Sequence, residues 1–288
     1  MMWFNYYDLR KAAKSENIDL IFPDWDSGKE RVAIFSPHDD DALLGAGYLI
    51  QAVAGNGGEP FVFIFCNGNA GYSTPEDRGV IVARRKGETK SAYAELGLGA
   101  GNVIRLDYPD FSVLPNIGWM MPWGEEGSFV NIIKNLRNLK ITRLVIPNRY
   151  REHIDHESVG RIGAFDGPQV GDEILVDWGK PVRIKSFLEY AVWGDFSPED
   201  ALVAGGDISI RANRAIKAPP PAEAKVAAAL SKFESQQRII KGLLEARKER
   251  QCRDSGDGYI ELYIDFDPRP TLRYDPYRTF ISSIDNKY

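Results

Sequence analysis

Short apolar runs alternate with longer mixed stretches along most of the chain. Residues 32–35, 61–65, 103–106, 143–147 and 183–193 have the length and the β-branched or aromatic content of strands. Residues 42–54, 76–96 and 126–139 read as helices between them, and another helix is expected to begin near 152–157. This alternation predicts βαβ units, hence an α/β fold with a mainly parallel sheet and helices on both faces. Before the first strand, residues 7–16 read as a helical lead-in and 24–28 as a turn. After the fifth come a loop at 195–207 and a proline stop at 219–221. The longest helix is expected over 222–250, with Val226, Leu230, Phe233, Ile240 and Leu244 on one face, followed by an edge strand at 258–264. Gly97-Leu-Gly-Ala-Gly101 follows a helix and lacks the full dinucleotide spacing, so it reads as a helix cap. With no repeat or linker, residues 1–288 are expected to form one domain with its core over about 32–250.

Polar chemistry gathers at two of the predicted strand ends. Ser36-Pro37 breaks the first strand, and His38, Asp39, Asp40 and Asp41 follow at once. Past the fourth strand lies Glu152-His153-Ile154-Asp155-His156-Glu157. The chain has three histidines, and these two clusters hold all of them. An acidic run at a helix start is ordinarily a solvated turn favoured by the helix dipole. Here, however, both clusters fall where open α/β sheets bind ligands, and grouped carboxylates beside imidazoles are costly unless a cation pairs them. A catalytic divalent metal takes three protein ligands from histidine and carboxylate and keeps an open position. The simplest set is His38 and Asp41 with one histidine of the second cluster. Either His153 or His156 fills that place, and the other is left as a catalytic neighbour. Asp40 is then free to act as general base toward a metal-activated water, a set suited to hydrolysis of an amide or ester.

Composition narrows the alternatives. A net charge of −5 and a pI near 5.4 point away from a nucleic-acid partner. No apolar run approaches the ~20 residues of a membrane span. The first residues lack the basic, apolar and small-residue pattern of a signal peptide. Two cysteines, Cys66 and Cys252, make no disulfide framework, and a cytoplasmic location is the expectation. The absence of Gly-x-Ser-x-Gly disfavours a serine nucleophile. Two histidines and a carboxylate with open positions suit zinc (Zn2+), and also Fe2+ or another divalent metal.

Pro37-His-Asp-Asp-Asp-Ala42 with Gly45, and His153-Ile-Asp-His156, resemble the two signatures of the PIG-L / LmbE-like family of zinc-dependent N-deacetylases. Its first motif reads Pro-His-Pro-Asp-Asp-Glu, so Asp39 and Ala42 are departures. Its second, His-x-Asp-His, is matched in full. Echoes lie at Asn67-Gly68 and Gly71, Arg85-x-x-Glu88, Leu96-Gly97, Tyr108-Pro-Asp110, and Lys225 with Ser235-Gln236, covering about 32–240; Phe233 stands where histidine is common. The resemblance implies a Rossmann-like fold with His38, Asp41 and His156 as zinc ligands and Asp40 as general base. It further implies that His153 stabilises the oxyanion or protonates the leaving amine, with Asp155 orienting it, and that Arg85 and Asp110 lie near substrate hydroxyls. The implied activity is removal of an acetyl group from an N-acetylglucosamine-type sugar or conjugate, a small-molecule partner; a homo-oligomer is compatible with it. A metal-dependent hydratase and a non-catalytic metal- or sugar-binding relative are the alternatives. The loops at 66–77, 107–125 and 194–207 are expected to set substrate choice.

Overall fold

A computed structural model describes residues 3–201, 207–253 and 257–286. Among these described residues nine strands form one sheet: β1 (Asn5–Asp8), β2 (Ala13–Ser15), β3 (Arg31–Ser36), β4 (Glu59–Cys66), β5 (Val103–Tyr108), β6 (Arg143–Pro147), β7 (Ser186–Tyr190), β8 (Arg214–Ala218) and β9 (Tyr259–Asp265). The helices are α1 (Asp41–Gly55), α2 (Ile81–Glu95), α3 (Ser128–Asn138), α4 (Ile154–Asp166), α5 (Pro220–Leu230), α6 (Gln237–Ala246) and α7 (Asp275–Asp285). The sheet order is β2-β1-β8-β9-β7-β6-β3-β4-β5. The five strands from β7 to β5 pair in parallel, and the other four add an antiparallel extension.

The pleat explains why β3 and β4 carry no polar face. Val32, Ile34, Val62 and Ile64 enter one core with α1, α2 and α5, whereas Ala33, Phe35, Phe61, Phe63 and Phe65 enter the other with α3 and α4. From β3 the chain winds outward through β4 and β5, then returns to β6 and β7 on the opposite side. The switch point therefore lies between β3 and β6, and both polar clusters leave the sheet at its carboxyl edge there.

Several sequence expectations need correction. Residues 7–16 form part of the β1–β2 hairpin, because Tyr6 and Asp8 are buried against β8 and tertiary pairing overrides local pattern. The helix expected over 222–250 is two, α5 and α6, separated by a turn around Glu234–Gln236. Strand β9 is interior, paired antiparallel with β7 and β8, and β8 was not foreseen. Of the loop at 194–207, residues 202–206 lie outside the described residues. Gly97 does end α2, at φ +86°. Among the described residues, no helix is long and apolar enough to cross a membrane.

Asp166 closes α4 with a buried carboxyl whose Oδ2 has no hydrogen-bond partner, at the helix end where negative charge is unfavourable. Burial pushes its pKa up to about 7. The folded state thus holds a proton that the unfolded state releases near pH 4, so stability falls as pH rises from about 4 to about 7. Asp166→Asn should remove that loss. Denaturant melts should show a gain on the order of 2 kcal/mol at about pH 8 and little change at about pH 4.

Candidate metal centre

Ser36 starts the site by holding the turn after β3. Its Oγ donates to the His38 carbonyl and accepts from Ala42 N at 3.0 Å, so one hydroxyl pins the turn and the first turn of α1. Gly45 lets that turn approach β7, since a Cβ there would stand 2.1 Å from the Tyr190 ring. The buried Tyr190 hydroxyl in turn donates to Phe35 O at 2.8 Å. Asp41 is thereby held rigidly at the switch point, and its Oδ2 accepts from the His38 backbone N–H at 2.8 Å.

Two imidazoles converge on the same oxygen. His38 Nδ1 and His156 Nε2 each lie 3.1 Å from Asp41 Oδ2. His156 is fully buried, and its Nδ1 lies 2.9 Å from Glu152 Oε2. Glu152 is itself fixed, its other oxygen accepting backbone N–H groups of Val192, Trp193 and Gly194 at 2.9, 3.1 and 2.7 Å. With Nδ1 donating to a carboxylate, His156 Nε2 presents its lone pair to the site, yet it makes no hydrogen bond there. An imidazole with one nitrogen tied to a carboxylate and the other buried and unsatisfied is how a metal-ligating histidine is prepared. His38, Asp41 and His156 form a cluster able to hold one ion, and the 3.1 Å spacings approach the ~3.3 Å edge of a tetrahedron with ~2.0 Å bonds. The donor set fits a divalent metal.

The electrostatics favour a cation at this point. Burial alone would raise the Asp41 carboxyl, but the adjacent His156 and His38 hold it well below the carboxylate range. Burial would lower His156, but Asp41 and Glu152 draw its pKa up to about 9. Asp40 behaves oppositely. Burial and the nearby Asp41 raise its carboxyl above the usual range, against the opposing pull of Arg85.

His153 precedes α4 in extended backbone, so it shares no helical face with His156. Its Nδ1 accepts the Asp155 N–H at 3.1 Å, which leaves the ring proton on Nε2. Burial lowers its pKa, and the neighbouring His38 and His156 lower it further, which favours the neutral ring. The Asp155 carboxylate does not hydrogen-bond His153, lying 3.7 Å from its Nδ1; it sits 3.4 Å from His38 Nε2 and accepts Phe111 N at 2.7 Å.

Both residues expected near substrate hydroxyls have protein partners. Arg85 is buried, its Nε donating to Asp39 at 2.8 Å, with Nη2 3.6 Å from Asp40 Oδ1. It does not pair with Glu88, which instead accepts from Ser235 N and Oγ at 2.8 and 2.7 Å. Asp110 accepts Gly68 N and Ala70 N at 2.8 and 2.9 Å, shaping the loop after β4. Asp39, where the family motif has proline, is fully buried and receives Arg85, Thr89 Oγ1 and Arg105 Nη1. Cys66 is buried below His38 and Asp110, and burial pushes its thiol up to about 12.

Several residues at the site were missed from the sequence. Glu152 had only one signal, a carboxylate four residues before His156. Phe111 and Trp193 had none. Their rings stand 4.7 Å from His153 and 4.8 Å from His156, and both remain more than half exposed at the mouth. Phe111 adopts φ +62°, which turns its N–H onto Asp155 and its ring outward. Trp119 instead packs edge-on against Trp178.

A family model described as PIG-L: GlcNAc-PI de-N-acetylase matches residues 33–164. That stretch is similar to the PIG-L family. The match spans both polar clusters and the strands that present them. Comparison with curated proteins finds no match. Three solved structures share the fold. A conserved protein from Thermus thermophilus is 21% identical with TM-score 0.60, covering 84% of this chain and 97% of its own. The N,N'-diacetylchitobiose deacetylase from Pyrococcus horikoshii is 17% identical with TM-score 0.62, covering 83% and 84%. The 4-carboxy-2-hydroxymuconate hydratase from Pseudomonas putida is 15% identical with TM-score 0.61, covering 85% and 99%. The chain therefore has an LmbE-like α/β fold with its polar clusters at the switch point.

Proposed function

We propose that this protein is a metal-dependent hydrolase that removes an acetyl group from the amide nitrogen of an N-acetylglucosamine-type sugar or conjugate. His156 carries the reading: its Nδ1 is tied to Glu152 while its buried Nε2 is left unsatisfied beside Asp41 and His38. His38, Asp41 and His156 would hold the ion, with zinc the first candidate and Fe2+ the second. A divalent ion there supplies Lewis acidity toward the amide carbonyl and makes water acidic enough to ionise near neutral pH.

The chain's own groups do the rest. Asp40 follows His38 by two residues, and burial raises its affinity for a proton; it accepts the proton of the attacking water. His153, neutral with its proton on Nε2, donates a hydrogen bond to the oxygen that becomes negative as the carbonyl is attacked. The proton on Asp40 then passes to the leaving nitrogen, giving acetate and a primary amine. Phe111 and Trp193 offer apolar faces to a sugar ring, and the loop held by Asp110 borders its hydroxyls.

The test combines metal analysis with amine release from N-acetylglucosamine and N,N'-diacetylchitobiose. About one divalent ion per chain together with released amine supports the reading. No bound metal after reconstitution, or no amine from any N-acyl sugar, overturns it. Asp40→Asn should lower kcat by about 10²- to 10⁴-fold while metal content is unchanged. The Pseudomonas putida neighbour supports a second reading, a hydratase, which would take water into an unsaturated acid and release no amine. Sugar binding by the metal-loaded wild type without turnover would instead mark a non-catalytic relative.

A further inference from the structure

The end of the chain carries an apolar surface that the metal centre does not use. From Arg269 to Asn286 every residue is exposed, and α7 has no buried residue. Within α7, Tyr277, Phe280, Ile281 and Ile284 recur at the i, i+3, i+4, i+7 spacing of one helix face. An 11-residue helix is marginal in water by itself. Its persistence therefore needs a surface to dock on, and among the described residues no part of its own chain buries it.

The root of this arm narrows what that surface is. Asp267-Pro268-Arg269-Pro270 places two prolines in four residues, a stiff exit that disfavours folding back. Arg269 clamps the exit to the body through a bidentate pair with Asp172, at 2.7 and 2.6 Å. In the chain segments flanking Asp172, Phe165, Ile174 and Val176 are 66%, 49% and 65% exposed. One copy thus presents an apolar helix face, and exposed apolar side chains in the chain segments on either side of the residue that fixes the arm.

We propose that α7 is an exchange arm, docking on the Phe165–Ile174–Val176 surface of a second copy of this chain. Reciprocal exchange about a twofold axis buries both arms and both patches in one self-complementary interface. The size suffices. Each arm brings Leu272, Tyr274, Tyr277, Phe280, Ile281 and Ile284, and aromatic side chains bury about 150–250 Å² each. Two arms with two patches reach the ~1,200–2,000 Å² of a stable interface. A lipid surface is the poorer occupant, because α7 carries Asp275 and Asp285 against the single cation Arg278, which already pairs with Asp275 at 2.9 Å.

Light scattering on the full chain across micromolar concentrations tests the proposal, with Phe280→Asp/Ile281→Asp on the arm and Phe165→Asp on the patch. All three positions are exposed, so the single-copy fold is retained, and circular dichroism with metal content checks that. The wild type is expected to be a dimer or a multiple of one, and each variant to lose that association. A monomeric wild type, or an oligomer that survives the arm substitutions, overturns the arm. An oligomer lost with the arm variant but kept in Phe165→Asp overturns the receiving surface. A monomer that co-floats with phosphatidylcholine vesicles gives the face to lipid and overturns both. None of these outcomes depends on the hydrolase reading.

Discussion

Asp41→Ala and His156→Ala are each expected to leave the purified protein with less than a tenth of the wild-type divalent metal and no measurable turnover. The effect should be near-total because one oxygen organises the centre. Asp41 Oδ2 is 3.1 Å from both His38 Nδ1 and His156 Nε2 and also accepts the His38 N–H. Removing it takes away a proposed ligand and releases the turn that aims His38. Losing His156 leaves Glu152 buried with its Oε2 unpaired, a cost of about 1–3 kcal/mol in stability as well as the loss of a proposed ligand. Metal analysis and thermal melts with and without added zinc measure both effects. The wild type should gain stability with zinc, by RT ln(1 + [L]/Kd), and the variants should gain none. Glu152→Gln separates ligation from orientation. It keeps an acceptor for Nδ1 but weakens the bond, so metal affinity should fall by about 10- to 100-fold without vanishing. Metal retained at the wild-type level in Asp41→Ala would place the ion elsewhere.

The sequence made the two clusters and their convergence legible for a physical reason. Strand ends followed by ionisable residues fall at one edge of a parallel sheet whatever lies between them, so His38–Asp41 and His153–His156 could be brought together from order alone. Roles that depend on orientation were less accessible. Arg85 and Asp110 read as substrate contacts, but Arg85 donates to Asp39 and Asp110 caps backbone N–H groups of the loop after β4. A one-dimensional pattern does not show which protein groups a carboxylate or guanidinium already engages. Phe111 and Trp193 reach the site from loops with no periodicity to read. The N-terminal hairpin and β8 failed differently. Their few residues are strands because an antiparallel extension of the sheet pairs them, and such non-local pairing leaves little local trace.

Glu261→Leu is expected to destabilise the protein by about 3–5 kcal/mol, the range for breaking a buried charge network by removing one member. The reason lies in α1, which is not one continuous helix. Ala46, between Gly45 and Gly47, takes φ −137° and ψ 21°, so the helical hydrogen-bond ladder is interrupted there. Buried backbone groups at such a break need partners from elsewhere. Glu261 of β9 supplies them. It accepts Tyr48 N at 3.0 and 2.9 Å, Leu49 N at 3.2 Å and the Tyr263 hydroxyl at 2.6 Å. On the other side of the break, Arg247 Nη1 donates to Leu44 O at 2.6 Å and is held by Glu223. Leucine fills the volume and supplies no acceptor, leaving two amides and a hydroxyl unsatisfied with Arg250 unbalanced 3.5 Å from the lost carboxylate. Glu261→Gln should cost less, since its amide oxygen still accepts. Because the same helix carries Asp41 one turn before the break, the loss should reach the metal centre. Zinc affinity is expected to fall in Glu261→Leu although no proposed ligand has changed. Denaturant melts followed by zinc titration read both quantities, and a leucine variant as stable as wild type would show that the break in α1 satisfies itself.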